Sequence, residues 1–286
     1  MPAASWTPNF DQLLPQIDFA IAEDVGDGDH SALSCLDPAA RGQVRLLVKE
    51  EGILAGVALA EFLFTYIDPS AQFQLLMQDG DACSPGDIAF TVEGSSIKLL
   101  QSERLVLNYM QRLSGIATRT SVYAERIAHT HCQVLDTRKT TPGLRVLEKW
   151  AVALGGGGNH RMGLYDMVML KDNHIDFAGG ILPAVANVRH YLQARQKDLA
   201  IEVETRDLDE VQQALEAGAD RIMLDNFSVE RTLEAVALIG GRCEIESSGG
   251  ITLDTLADYA ECGVNFISVG ALTHHIKGLD MSLKAI

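Results

Sequence analysis

The sequence predicts an α/β protein with a parallel sheet in its second half and a separate α+β domain in its first half. Two observations support this fold class. From Cys132 onward, strand patterns alternate with helix patterns, which is typical of parallel strands joined by crossover helices. Before that point strands and helices mix without strict alternation. The length of 286 residues suits one large domain or two modest ones.

The composition argues against several classes of protein. Hydrophobic residues make up 47 %, which is enough for a core, and the 22 % of charged residues is typical of an ordinary globular protein. The net charge of -16 and pI near 4.8 argue against nucleic acid as the main partner. The first residues lack the regions of a signal peptide, and the apolar run 52–66 is interrupted by Glu61 and too short to cross a bilayer. Five scattered cysteines predict free thiols in a reducing cytoplasm.

In the first half, apolar residues at helical spacing predict a helix over 10–24, and glycines and aspartates over 26–29 predict a loop. The acidic stretch AEDVGDGDH could bind a cation, although a solvated loop at the helix end is the favoured interpretation. Further strands are expected in 41–56, 73–78 and 88–93, with a helix over 57–66.

Two helices, 99–113 and 117–129, are predicted to connect the halves. Arg104 lies in the first of them. On spacing alone, a surface ion pair with a neighbouring acid such as Glu103 is the simplest interpretation of Arg104.

The second half predicts six strands with five intervening helices. The strand segments are QVLDT, MVMLKD, LAIEVET, RIMLDN, CEIESSGG and VNFISVG, and the helices span 142–154, 181–196, 208–217, 229–239 and 253–261. Such a sheet is either doubly wound or closed as a barrel, and periodicity does not decide between them.

Charged residues or glycines end every one of these strands. In chain order the ends carry Arg138 and Lys139, then Lys171, then Glu202 and Glu204, then Asp225, then Ser248, Gly249 and Gly250, then Gly270. Ligands of parallel α/β folds bind where strands end, so one edge should hold cations, acids and glycine loops together. Arginines suit carboxylates, glycine loops suit phosphate, and acids suit ribose hydroxyls or a hydrated Mg²⁺.

Residues 135–174 gather six lysines and arginines in an otherwise acidic chain, which predicts an anion site. His160 and His174 could be metal ligands, but no carboxylate stands at metal spacing, so hydrogen bonding beside the anion is preferred. The glycines 155–158 follow a helix rather than a strand, so they are not a dinucleotide-binding fingerprint.

Two runs in this window, DTRKTTPGLR (136–145) and GGGGNHRMGLYDMVMLKDNH (155–174), resemble the quinolinate phosphoribosyltransferases. Shorter matches extend the resemblance over nearly the whole chain, while GDHS (28–31) and ESSGG (246–250) depart slightly from the family pattern. The resemblance implies an N-terminal α+β sandwich domain followed by an incomplete α/β barrel of fewer than eight strands. It implies domains at 1–114 and 115–271, with the tail 272–286 packing back on the first.

The resemblance also implies roles for individual residues. Catalytic roles fall on Lys139, Lys171, Glu204 and Asp225, with Mg²⁺ held near Glu204 and Asp225 through water. The implied quinolinate ligands are Arg104, Arg138, Lys139, His160, Arg161 and Lys171. The other substrate-binding residues it implies, mainly for phosphoribosyl pyrophosphate, are Thr137, Ser248, Gly249, Gly250, Val269, Gly270 and Ala271. It further implies a homodimer in which Arg104 enters the partner's active site.

The implied reaction joins quinolinate to phosphoribosyl pyrophosphate and releases pyrophosphate and CO₂, giving nicotinate mononucleotide for NAD biosynthesis. Three alternatives remain. A related phosphoribosyltransferase could use a monocarboxylate such as nicotinate, although three arginines favour a dicarboxylate. A Schiff-base aldolase could use Lys139 or Lys171 as nucleophile. A non-enzymatic anion-binding module would bind ligand without turnover.

Overall fold

The protein is described by a computed structural model that covers residues 6–286. The chain forms two compact units. The first comprises the residues up to Ser121, together with Thr141–Gly156 and Leu272–Ile286, and the second comprises Val122–Thr140 and Gly157–Ala271. The domain boundaries expected from the sequence stay a prediction.

The helices are short, except for one that runs from the first unit into the second. In chain order they are α1 (Leu14–Val25, after a 3-10 turn at Phe10–Leu13), α2 (His30–Cys35), α3 (Val57–Ile67), α4 (Ser96–Arg126), α5 (Arg145–Leu154), α6 (Asp172–Ala178), α7 (Ile181–Arg195), α8 (Leu208–Ala217), α9 (Val229–Ile239), α10 (Leu256–Glu261) and α11 (Ala271–His274). No helix within residues 6–286 combines the length and apolar character needed to cross a membrane.

The strands are short and fall into three sheets. In chain order they are β1 (Arg41–Val48), β2 (Gly52–Ile53), β3 (Gln72–Leu75), β4 (Ala82–Cys83), β5 (Ile88–Ser95), β6 (Gln133–Leu135), β7 (Val168–Leu170), β8 (Ile201–Thr205), β9 (Arg221–Asp225), β10 (Glu244–Ser248), β11 (Phe266–Ser268) and β12 (Met281–Ala285).

The first unit is built on an antiparallel sheet with the strand order β12-β1-β5-β3. Its C-terminal strand pairs with β1, with Leu46 opposite Leu283. Phe90 from the sheet meets Phe64 of α3 with ring centroids 6.0 Å apart, and both rings are fully buried. This apolar layer between helix and sheet makes the core of an α+β unit, as the mixed pattern of the first half predicts.

The second unit confirms the predicted parallel sheet. Its order is β6-β11-β10-β9-β8-β7, so the first strand pairs with the last, as in a barrel. All five ladders are parallel, and six strands are fewer than the eight of a complete barrel. β6 and β7 form the two edges of this sheet, and no ladder joins them in the described chain. Leu135 of β6 instead forms an isolated parallel bridge with Gly158, which precedes β7. The sheet is therefore an incomplete barrel with its interruption between β6 and β7.

Strand alternation divides the barrel residues into two faces. Val203, Ile222 and Ile267 are fully buried on the apolar face. The opposite, inner face carries Glu202 and Glu204 from β8, and Glu246 and Ser248 from β10. An acidic inner face is unusual for a packed barrel and marks where ligand chemistry is concentrated.

One predicted break is wrong. The sequence pattern separated helices 99–113 and 117–129, whereas α4 is continuous for 31 residues. Gly115 does not end the helix. It allows a close approach, because a Cβ at this position would collide with the carbonyl oxygen of Lys277.

Two helices of the second half begin later than predicted. The helix predicted from Pro142 begins at Arg145, because Gly143 takes a left-handed φ of +82° and interrupts the first turn. The helix predicted from 253 begins at Leu256. The acidic loop after α1 contains Asp29, whose side chain accepts the backbone N–H groups of Ser31 and Ala32 and so caps α2.

Candidate active site

The ends of the six parallel strands place most of the predicted site residues along one edge of the second unit. Thr137, Arg138 and Lys139 follow β6, Lys171 follows β7, Glu204 lies in β8, Asp225 ends β9, Ser248 ends β10 with Gly249 and Gly250 after it, and Val269, Gly270 and Ala271 follow β11. Arg104 lies apart from this set in sequence, on α4 in the first unit, where it is exposed.

The loop after β6 is anchored by a buried acid. Asp136 is fully buried, and its carboxylate accepts the backbone N–H of His160 at 2.9 Å and the side-chain amide of Asn159 at 2.7 Å. Thr137 Oγ1 accepts the backbone N–H of Lys139 at 3.0 Å, which closes a tight turn. Asp136 thus joins the segment that carries Arg161 to the loop after β6 that carries Arg138.

Two arginines of the site influence each other. Partial burial lowers the pKa of Arg161, and the neighbouring positive charge of Arg138 lowers it further. Glu202 and Asp166 oppose this shift. Arg161 also donates from Nη1 to the carbonyl of Met167 at 3.2 Å, which orients its guanidinium. Two guanidinium groups whose charges influence each other suit an anion with more than one charge.

Cationic and acidic groups meet at the end of β7. Lys171 Nζ lies 2.6 Å from Glu204 Oε2, and Glu204 is largely buried while Lys171 is half-exposed. The backbone N–H of Lys171 donates to His174 Nδ1 at 3.0 Å. His174 therefore supports the turn into α6, a helix that the sequence pattern did not predict.

The ends of β9 and β10 interlock. Asn226 has a left-handed φ of +55°, and its side-chain amide donates to Asp225 Oδ2 at 2.9 Å. Its backbone N–H donates to the carbonyl of Ser248 at 2.9 Å. A Cβ on Gly249 would collide with the Asn226 side chain, so only glycine fits there. Ser248 Oγ in turn lies 3.1 Å from the Ser268 hydroxyl of β11.

Below this edge, four ionisable side chains form a buried layer inside the barrel. His160 Nε2 lies 3.0 Å from Glu202 Oε2 and 3.5 Å from Glu246 Oε2. Arg221 Nη1 lies 3.3 Å from the same Glu246 oxygen. Burial is the main cause that raises the pKa of each carboxyl to about 7, and Glu202 raises the pKa of Glu246 further.

Among residues 6–286, His160, Glu202 and Glu246 are the one group of side chains that could together bind a metal ion. Their ligand atoms lie within 4.8 Å of one another. The guanidinium of Arg221 beside Glu246 already supplies positive charge to this group. Because the three ligand groups are buried and already contact one another and Arg221, the layer is better explained as a closed charge network.

Several residues that build the site have no role in the predictions made from the sequence. They are Asp136, Asn159, Arg221, Asn226 and Glu246. Glu202 was expected at the strand-end edge together with Glu204, whereas it lies below that edge in the buried layer. One signal was available for Glu202 and Glu246, since each is a charged residue inside an otherwise apolar buried strand. Such residues are rarely buried unless paired.

Comparison with known families matches both parts of the chain. The model described as "Quinolinate phosphoribosyl transferase, N-terminal domain" matches residues 29–114. The corresponding C-terminal domain model matches residues 116–284.

Similar proteins include "Nicotinate-nucleotide pyrophosphorylase [carboxylating], chloroplastic" of Arabidopsis thaliana, 46 % identical over 97 % of this chain and 83 % of that protein. The "Probable nicotinate-nucleotide pyrophosphorylase [carboxylating]" of a Synechocystis strain is 45 % identical over 93 % of this chain and 90 % of that protein. The crystal structure of NadC from Streptococcus pyogenes has a TM-score of 0.93 at 40 % identity, and the match covers 99 % of this chain and 100 % of that one.

Proposed function

Because the chain belongs to the quinolinate phosphoribosyltransferase family, we propose that it makes nicotinate mononucleotide from quinolinate and phosphoribosyl pyrophosphate, with release of pyrophosphate and CO₂. The observation that carries this proposal is the gathering of cations where the parallel strands end, with Arg138 and Lys139 after β6 and Lys171 after β7. The positive charge of Arg138 also acts on Arg161 and lowers its pKa. Two mutually repelling guanidinium groups are stabilised by a dianion more than by a monoanion.

Quinolinate fits this pair because it carries two carboxylates on adjacent carbons of a planar ring. A guanidinium fork binds one carboxylate with two parallel hydrogen bonds, so two arginines can each take one. Lys139 adds a third cation from the same turn as Arg138. This arrangement favours a dicarboxylate over nicotinate, which has one carboxylate.

Phosphoribosyl pyrophosphate would occupy the opposite side of the site, where β8 to β11 end. Gly249 and Gly250 have φ values of +93° and +65°, so their backbone N–H groups can approach a phosphate with no side chain in the way. The Ser248 hydroxyl and the segment 269–271 lie at the neighbouring strand ends. Lys171 adds a cation beside them.

Glu204 and Asp225 are the residues that would hold Mg²⁺. Both are carboxylates at the ends of adjacent strands, and carboxylate oxygens with water are the ligands this ion prefers. When bound, the ion would neutralise charge on the pyrophosphate. The same two carboxylates face the position of the ribose, where they can stabilise the positive charge that develops as the bond to pyrophosphate breaks.

The chemistry requires no general base from the protein. The pyridine nitrogen uses its own lone pair to form the bond to ribose C1, while pyrophosphate leaves with the electrons of the broken C–O bond. The C2–carboxylate bond then breaks and releases CO₂. Its electron pair remains on C2, where the adjacent quaternary nitrogen stabilises it until a proton is added.

The Schiff-base alternative is not favoured by the geometry. A nucleophilic lysine needs an apolar environment that keeps its amine uncharged. Lys171 instead forms a 2.6 Å ion pair with Glu204. Reduction with borohydride in the presence of a carbonyl substrate should therefore leave no covalent adduct on the protein.

The finer properties of the family belong to the same proposal. A homodimer would supply Arg104 to the partner's site, which is supported by the exposed position of Arg104 on α4. A reducing cytoplasm is supported by the five free cysteines, of which Cys83, Cys132 and Cys262 are buried.

A coupled pyrophosphate assay tests the proposed substrate. With phosphoribosyl pyrophosphate and Mg²⁺ present, quinolinate should drive pyrophosphate release, whereas nicotinate at the same concentration should drive little. Equal release with both acids would contradict the dicarboxylate assignment. Release with neither would reject the proposed function itself.

A further inference from the structure

The ring of His160 is held at both of its nitrogens. Nδ1 accepts the backbone N–H of Arg161 at 2.7 Å. Nε2 is itself buried and lies 3.0 Å from Glu202 and 3.5 Å from Glu246. Both ring nitrogens therefore already have polar groups of the protein beside them.

We propose that Glu202 and Glu246 are positioning residues that hold the His160 ring, and through it the backbone of Arg161, in the quinolinate site. His160 then acts through Arg161 and does not bind quinolinate with its nitrogens. This inference rests on the proposed function, because it concerns the arginine that receives a substrate carboxylate.

The hydrogen-bond directions fix the state of the ring. Because Nδ1 accepts a backbone N–H, it carries no proton in this arrangement, and the proton of a neutral ring is then on Nε2. Nε2 faces Glu202 and Glu246, whose ionised forms accept a proton or attract a positive charge. Glu202 and Glu246 thus select the tautomer whose other nitrogen supports Arg161.

The Arg161 segment is fixed on a second side as well. Asp136 Oδ1 accepts the backbone N–H of His160 at 2.9 Å, one residue before the N–H of Arg161 that the ring binds. Two consecutive backbone groups are consequently tied to buried side chains. A guanidinium fork must be placed to within about half an ångström for bidentate binding, which explains the need for such support.

Arg221 explains how two buried acids are tolerated. Its guanidinium contacts both Glu246, at 3.3 Å, and the exposed Glu244, at 2.8 Å. It also lies over the ring of Phe266, 4.1 Å from the centroid. The contacts thereby continue from Glu244, at the start of β10, through Arg221, Glu246 and His160 to the backbone of Arg161.

Nitrogen-15 spectra of the histidines in the wild-type protein give the most direct test, with the His160 signals assigned from the His160→Asn variant. In the free protein we expect Nδ1 to be unprotonated and Nε2 protonated. Saturating quinolinate should shift the Arg161 amide and leave both His160 nitrogens nearly unchanged. A protonated Nδ1, or a large shift of either ring nitrogen on adding quinolinate, would overturn the proposal.

Kinetics of four variants test the positioning role separately. Glu202→Gln, Glu246→Gln, His160→Asn and His160→Gln should each raise KM for quinolinate by about tenfold or more, with KM for phosphoribosyl pyrophosphate changed by no more than about twofold. Asn retains an acceptor near the Nδ1 position and Gln reaches the position of Nε2, so each His160 variant loses one of the two contacts. Asp79→Asn serves as control, since this buried acid caps α3 in the first unit.

The control variant should lose stability without any change in the ratio of the two KM values. Equal effects on both substrates in the folded glutamate variants, or none, would refute the inference. If a variant fails to fold, the spectra of the wild-type protein still decide. Failure of the proposed function gives a different result, namely no pyrophosphate release by the wild-type enzyme, while the tautomer in the free protein remains measurable.

Discussion

At the scale of single residues, the selectivity that we propose for the site rests on the positive charges of Arg138 and Arg161. Partial burial and the charge of Arg138 together lower the pKa of Arg161. Both effects disfavour the charged form of Arg161 until an anion binds. We expect a carboxylate of the ligand to offset this effect at Arg161, and a second carboxylate to bind Arg138. We therefore expect the affinity to depend strongly on how many carboxylates the ligand carries.

We expect Arg138→Ala and Arg161→Ala to weaken quinolinate binding by about ten- to a hundredfold, because one charge-assisted hydrogen bond is worth roughly 1.5–3 kcal/mol. Binding of phosphoribosyl pyrophosphate should change much less. Isothermal titration with each ligand measures both. Arg195→Ala is the matched control, since Arg195 lies on Tyr191 at the end of α7. Equal weakening of both ligands would contradict the assignment.

The buried carboxyl of Glu246 predicts a stability that depends on pH. Burial and Glu202 raise its pKa from 4.5 to about 7, so the folded protein holds a proton that the unfolded chain releases between these values. Because the native state binds more protons there, stability should fall as pH rises through this window, and the effect is absent below it.

We expect urea unfolding to show a free energy lower by on the order of 1–3 kcal/mol at about pH 8 than at about pH 5 from this carboxyl. Glu246→Gln should reduce that difference, because Glu202 then faces His160 and Arg221 without a second acid. Glu93→Gln, at a half-exposed position on β5, should keep the wild-type dependence. If Glu246→Gln retains the full dependence, the assigned pKa is wrong.

At the scale of elements, local signals determined what the sequence could predict. α8 and α9 have the predicted bounds, because Asp207 and Ser228 cap their first turns and Gly218 and Gly240 end them in left-handed conformations. α4 was divided wrongly into 99–113 and 117–129, although the helix continues through Gly115. Its actual constraint comes from Lys277, which is far away in sequence.

The residues of the site likewise divide into those with a local sequence signal and those brought together only by contacts distant in sequence. The residues at the strand ends could be placed on one edge from the sequence, because parallel strands share a direction. The buried layer of His160, Glu202 and Glu246 could not be assembled in this way, since its members come from β8, β10 and a loop. Only the three-dimensional register of the barrel brings them within hydrogen-bonding range.

The glycine turn after β10 gives a prediction for one element. Gly249→Ala should destabilise the protein and weaken binding of phosphoribosyl pyrophosphate, because its Cβ would collide with Asn226, which holds Asp225. Gly241→Ala is the control, since Gly241 also has a positive φ, +74°, but has open space around it. Both variants pay the backbone cost of roughly 1–2 kcal/mol, measured by chemical unfolding. Only Gly249→Ala should lose ligand affinity, and equal affinities in the two variants would argue against the phosphate role of this turn.

At the scale of the whole molecule, the proposed homodimer predicts complementation between subunits. Arg104→Ala and Lys139→Ala should each be nearly inactive. After subunit exchange, heterodimers would have one site free of both changes, so the mixture should recover about a quarter of wild-type activity. A mixture that exchanges subunits but stays as inactive as its parents would show that Arg104 does not complete the partner's site.

The central claim concerns the reaction, and product analysis tests it most directly. The purified protein is incubated with Mg²⁺, phosphoribosyl pyrophosphate and quinolinate labelled in the 2-carboxylate, and the nucleotide and gas are quantified together. We predict nicotinate mononucleotide and labelled CO₂ in equal amounts, both dependent on phosphoribosyl pyrophosphate. The absence of nicotinate mononucleotide, or formation of a nucleotide that retains the label, would contradict the account.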